Sequence, residues 1–228
     1  MVDFIVDGFY RALVLLIQGD PQTLSAVTTT LKAALLSMGM SLVIGVPAGF
    51  CLGYYEFRGK KTARTIVDTM LALPTVFIGL LVYAFLSNRG PLGGLGLLFT
   101  IPAISVGQTI LALPVITALT ASTLDSLDKG LRLTLISLGA DKRQLFLTTL
   151  WEVRYGIVAA AMTAMGRVMT EVGISMMVGG NIKWHTRTIT TAIALETGKG
   201  MFAEGIALGL VLLAIALVVN VSVSVFRR

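Results

Sequence analysis

The chain has almost none of the residues from which most enzyme sites are built. Of 228 residues, one is cysteine and one is histidine. The single cysteine, Cys51, cannot close an intrachain disulfide and carries no signal about redox compartment. The single histidine, His185, leaves no His/Cys cluster for a metal. Charged residues make up 13% of the chain against 55% hydrophobic, and no nucleophilic triad or paired-carboxylate site can be assembled from them. The N-terminus "MVDFIVDGFYRALVLLIQGD" carries Asp3 and Asp7 where a secretory signal would be basic, so it reads as retained.

What is present is apolar length. Mean hydropathy is +0.87, too high for a soluble domain of this size with a surface to cover. Long apolar runs follow one another, which makes the fold class all-α, a polytopic helical membrane protein. The net charge of +6 then reports Lys and Arg in cytoplasmic loops and not a nucleic-acid partner.

Five core spans are expected, at about 30–54, 64–86, 102–124, 157–178 and 202–225, from runs near the ~20 residues that cross a bilayer. Ahead of them, residues 1–20 form an amphipathic helix. Asp3, Asp7 and Arg11 fall on one side and Phe4, Ile5, Phe9, Ala12, Leu13 and Leu16 on the other, the pattern of a helix lying in the interface. A short additional span is the alternative. The threonine-rich "TLSAVTTT" is placed near the interface. Residues 24–225 form the membrane-spanning body, with a polar block at 125–156 and a polar connection at 179–200.

Basic residues orient the body. Arg58, Lys60, Lys61, Arg64, Lys129, Arg132, Lys142, Arg143, Arg154, Arg227 and Arg228 all fall on one side of a five-span chain. That side is expected to be cytoplasmic, with the C-terminus inside. Pro47, Pro74, Pro102 and Pro114 sit in or at the ends of spans and permit kinks. Small residues in "GMSLVIGVPAGFCLG" and "AAAMTAMG" permit close helix approach.

"GYYEFRGKKT" has the look of a phosphate-binding loop but fails on spacing. Five residues separate Gly53 from Gly59, and Lys60 is followed by Lys61 where Ser or Thr must hold magnesium. The chain is therefore expected not to be an enzyme. Any uphill transport must be driven by a partner or by an ion gradient.

The block "LISLGADKRQLFLTTLWEVRYGI" reads as two short helices. Gly139 suits a left-handed stop, and Asp141 with Gln144 three residues on forms a capping box. A DNA-reading helix-turn-helix between membrane spans could not reach a groove. A loop lying on the membrane, or a docking element for a soluble subunit, remains. A second group sits inside the fourth span. Arg167 and Glu171, at i, i+4, can pair along one helix face, either as a structural ion pair or as an element of a pathway or gate. Beyond them Asn181, Thr186, Arg187, Thr188, Thr190 and Thr191 could line the outer mouth of a path or belong to a solvated loop. Lys183, Trp184 and His185 suit interfacial anchors and docking contacts.

These two stretches carry a resemblance. "SLGADKRQLFLTTLWEVRYGI" resembles the cytoplasmic EAA loop of permease subunits of bacterial ABC importers, with Gly139 on the turn glycine and Gly156-Ile157 on the start of the next span. Leu133, Thr134 and Leu135 replace E-A-A, and Leu150-Trp151 replaces Leu-Pro. "GRVMTEVGISMMVGGNIKWHTRTITTAIALETGKG" is similar to the molybdate- and tungstate-type permeases, most of all their tungstate-selective branch. The resemblance implies a type I ABC importer transmembrane domain, acting as a homodimer with the path on its two-fold axis. It implies two copies of a cytoplasmic ATPase that holds ATP and magnesium, with no cofactor in this chain, and an extracytoplasmic substrate-binding protein. ATPase coupling then falls to Leu138, Gly139, Ala140, Asp141 and Arg143, and a pathway or gate to Arg167, Glu171, Asn181 and Thr188. An importer of molybdate, sulfate or phosphate is the neighbouring alternative, and an ion-driven secondary transporter the more distant one.

Overall fold

Glycines at every fourth position decide how the two central helices meet. A computed structural model describes the backbone of residues 3–226 and the side chains of all of these except 3–5, 13, 15, 16, 129, 132, 133 and 223–226. In α2 (Pro21–Tyr54) Gly45, Gly49 and Gly53 face α5 (Ile101–Asp125). A Cβ at Gly49 would lie 2.6 Å from the backbone oxygen of Thr117, and one at Gly53 2.8 Å from Leu124 Cβ. The missing side chains bring the backbones close enough for hydroxyls to bond across. Ser105 donates to the Ala33 carbonyl at 3.3 Å, Thr109 to Ser37 at 3.4 Å and Thr117 to Gly45 at 3.4 Å. In an apolar surrounding, small residues and hydroxyls are what hold such a pair.

α2 begins earlier than the hydropathy pattern places the first span. Asp20 caps it, accepting from the Thr23 amide at 2.8 Å, and the threonine-rich stretch is helical, with Thr23, Thr29 and Thr30 buried. The expected second span is two helices, α3 (Lys60–Leu71) and α4 (Thr75–Leu86), bent by 98°. Pro74, which precedes α4, has no amide hydrogen to continue α3. The expected fourth span is also broken: α8 (Arg154–Met169) ends, and α9 (Gly173–Gly179) starts after residues 170–172. The polar connection at 179–200 contains a third unexpected element, α10 (Ile189–Gly198), packed between α2 and α11 (Phe202–Phe226). Among the described residues, α2, α5 and α11 are each long and apolar enough to cross a membrane, and two bent pairs, α3/α4 and α7 (Lys142–Glu152)/α8, raise the number to five if each is one span.

α1 (Asp3–Gln18) packs on the start of α11. A Cβ at Gly8 would touch Ile206 Cγ2 at 2.6 Å, and Arg11 bonds both Asp7 and Glu204. Asp3, Phe4, Ile5, Leu13 and Leu16 of its expected amphipathic faces lie outside the described side chains, as do Lys129, Arg132 and Leu133; Arg227 and Arg228 lie outside the described residues altogether. One core joins α2, α5 and α8 through Ala34, Met38, Ala112, Ile116, Ala164 and Val168. A second joins α4, α5 and α9 through Ile78, Val82, Leu111, Ile174 and Val178. Large apolar side chains such as Val43, Leu80, Leu213 and Leu217 stay exposed on the outer faces of α2, α4 and α11, as a lipid-facing surface requires.

Candidate functional site

The polar block folds as α6 (Lys129–Ser137) and α7 (Lys142–Glu152) joined by a tight turn. Gly139 has φ 80°, a conformation open to glycine at little cost. The Gly139 amide donates to the Ile136 carbonyl at 2.9 Å and the Ala140 amide to Leu135 at 3.0 Å, the paired bonds of a Schellman stop. Asp141 then caps α7. Its carboxylate accepts from the Gln144 amide at 2.7 Å, and the Gln144 side chain accepts from the Asp141 amide at 2.9 Å. The turn is thus tied on both sides and stands away from the body. A Cβ at Gly139 would meet nothing within 4 Å, and Leu138 is 78% exposed.

Ile136 beside that turn, and Leu147 and Trp151 further along α7, are also exposed. Apolar groups on a rigid projecting element mark a contact surface. Arg143 is exposed beside them. The root of the element is buried. Val153, between α7 and α8, is 1% exposed and packs with Phe50 and Leu124 at the ends of α2 and α5. Phe146 meets Phe50 edge-on with ring centroids 4.7 Å apart. Arg154 lies between the rings of Trp151 and Tyr155, 4.4 and 4.2 Å from their centroids, an arrangement that places cation–π attraction at the α7–α8 bend. Neither the exposed apolar set nor this sandwich stands out from sequence; Trp151 sits where the family pattern has proline.

The second group lies where the fourth span breaks. Arg167 and Glu171 form no ion pair, because the helix that would align them at i, i+4 ends at Met169. Arg167 instead sends Nη2 to the Leu71 carbonyl at 3.2 Å, a charge on the C-terminal end of α3, where the last carbonyls have no helical partner. Glu171 is 7% exposed; its Oε1 accepts from the Ile174 amide at 3.1 Å, in the first turn of α9. Its backbone carbonyl accepts from Thr190 Oγ1 at 2.9 Å, which brings the start of α10 to the same place. Gln108 of α5 donates to the Val168 carbonyl at 3.4 Å.

Thr186, Thr188, Thr190 and Thr191 are all buried, and their hydroxyls bond within the chain. Thr188, 1% exposed, caps α10 in a capping box with Thr191, and the Ile189 amide donates to Thr30 Oγ1 at 2.9 Å. Thr191 stands where the usual capping box has Glu or Gln, so the sequence gives only a weak sign of this cap. Asn181, φ 50°, is half-buried and accepts from Arg187 Nε at 3.1 Å. Ile182, Lys183, Trp184 and His185 form the exposed tip of that loop, with Lys183 Nζ 5.2 Å from the Trp184 ring.

The described residues form a bundle of broken and unbroken apolar helices with a tightly turned helix pair at one end. The chain belongs to the family of binding-protein-dependent transport system inner membrane components, whose model matches residues 45–228. It is 48% identical over 219 residues, 96% of this chain and 92% of the relative, to the tungstate uptake system permease protein TupB of Campylobacter jejuni. It is 35% identical over 221 residues, 96% of each chain, to the protein of the same name from Peptoclostridium acidaminophilum. Its fold matches that of the inward-facing MetNI methionine ABC transporter with a TM-score of 0.74, at 19% identity, over 91% of this chain and 95% of that one. This is a multi-pass, inner-membrane ABC permease subunit with the type I importer fold, and such a subunit works with an ATPase and a substrate-binding protein.

Proposed function

We propose that this chain is the permease subunit of a tungstate importer and moves the oxyanion by alternating access. The observation that carries the substrate is the 48% identity with a tungstate permease along 96% of the chain. Two copies form the transporter, with the path between them. A cytoplasmic ATPase pair, which holds ATP and magnesium, docks on the α6–α7 turn, with Leu138, Gly139, Ala140, Asp141 and Arg143 at the contact. That end and the C-terminus face the cytoplasm, consistent with the basic residues there. The binding protein meets the opposite face.

Arg167 and Glu171 lie at the gate, where two spans break. Asn181 and Thr188 serve it by fixing the loop and the start of α10, since both are engaged within the chain. The test is uptake by proteoliposomes that hold this chain, its ATPase and its binding protein. Tungstate uptake that requires ATP and outpaces molybdate and sulfate is expected. Preference for molybdate or sulfate would reassign the substrate, and uptake driven by an ion gradient without the ATPase would sink the proposal.

A further inference from the structure

Two helices break side by side. The α3–α4 bend at residues 72–74 and the α8–α9 break at 170–172 meet at three points. Arg167 of α8 reaches the last carbonyl of α3. A Cβ at Gly173 would lie 3.1 Å from Val76 Cγ2 and 3.2 Å from Thr75 Oγ1, both in the first turn of α4. That same Cβ would be 3.2 Å from Glu171 Oε1.

On one side of the breaks α4 and α9 form a unit. A Cβ at Gly79 would sit 3.3 Å from the Ile174 Cα, and Ile78 and Val82 share a core with Ile174 and Val178. On the other side Leu71 packs into the core that holds Ala164 and Val168 of α8. α8 follows directly on α7 through the buried Val153.

We propose that residues 72–74 and 170–172 act as a paired elbow on which α4 and α9 swing together against α3 and α8, and that Arg167 is the positioning residue that makes both elbows move in step. The inference rests on the importer function proposed above. A push on α7 turns α8, and α8 carries Arg167. The guanidinium, planar and always charged, holds the end of α3 by its free carbonyl and so draws the α3–α4 bend along. Residues of this kind, placed at the ends of elements, absorb the dihedral change in hinged transitions. Without the guanidinium the ATPase would still close, but α3 would lag behind α8.

The experiment measures tungstate uptake and ATP hydrolysis in parallel, in proteoliposomes holding the complete transporter. Arg167→Met is expected to leave hydrolysis within about twofold and to lower uptake per ATP about tenfold, the scale of a lost hydrogen bond from a charged group. Arg167→Lys, which keeps the charge but loses the fork, is expected to fall between the two. Unchanged uptake per ATP in Arg167→Met overturns the latch and leaves the importer standing, because the unmodified complex transports in the same assay. A proportional loss of uptake and hydrolysis also overturns it, as a purely structural role. Should Arg167→Met fail to assemble, Arg167→Gln is read by the same ratio. Failure of the unmodified complex to import tungstate, molybdate or sulfate removes the importer function, and the latch with it.

Discussion

The projecting turn and the double break are built by opposite means. The turn is local. Bonds between residues 135 and 144 shape it, and a Cβ at Gly139 would meet nothing within 4 Å. The double break is assembled from distant parts of the chain: Leu71 with Arg167, Thr30 with Ile189, Glu171 with Thr190, Gln108 with Val168. A self-contained element can be pushed as one piece without losing its shape. A junction held by single bonds between separate helices can be rearranged one bond at a time. The first suits a handle and the second a joint.

The frame common to both is the hardest to alter. Gly49→Leu would drive a side chain into the Thr117 backbone, 2.6 Å from the new Cβ. Overpacking of this kind costs about 3 kcal/mol or more. Loss of folded protein after detergent extraction is the expected result, and a normal yield with normal transport would show that α2 and α5 can part. Next in size, Gly139→Pro cannot adopt φ 80° and removes the amide that bonds Ile136. The membrane body should assemble while ATPase capture or uptake is abolished; normal transport would disprove docking on this turn.

A smaller change separates the handle's shape from its contact surface. Asp141→Ala removes the α7 cap, worth about 1 kcal/mol. Amide exchange in the first turn of α7 should speed up about fivefold, with the exchange of α10 unaffected. If α10 responds as well, the two regions are coupled more tightly than their bonds imply. Smallest of all is Glu56. Its hydrogen bond to Lys60 and the charge of that lysine hold its carboxyl below the usual glutamate range. The bond's contribution is therefore present above the ordinary pKa and is lost as pH falls through the lowered value. Since the Glu56 side chain is open to water, Glu56→Gln should leave the thermal midpoint nearly unchanged at neutral pH, and any difference should vanish in acid.

This contrast also explains what the sequence shows of the fold. The Gly139 stop and the Asp141–Gln144 box are written within a few adjacent residues, and the same is true of the long apolar runs of α5 and α11. The breaks are not. Glu171 and Gly173 interrupt the apolar run of "VMTEVGISMM" without marking a stop, and the break at residues 170–172 is fixed by the local bond from the Ile174 amide to Glu171 together with the long-range bond from Thr190 to the Glu171 carbonyl. Pro74 gives a signal for a kink but not for a 98° bend, which needs α5 and α9 to receive α4. α10 is hidden because its polar threonines look like a surface loop until Thr30 and Glu171 are seen to satisfy them. The i, i+4 spacing of Arg167 and Glu171 misleads for the same reason, as it presumes a helix that the tertiary structure interrupts.

The bend between α7 and α8 also carries an optical label. The chain has two tryptophans: Trp151, stacked on Arg154 at this bend, and Trp184, at the tip of the distant loop. Replacing Trp184 with phenylalanine leaves one indole, at the root of the projecting helices. Its emission could follow the arrival of the motor subunit in real time, with no dye attached.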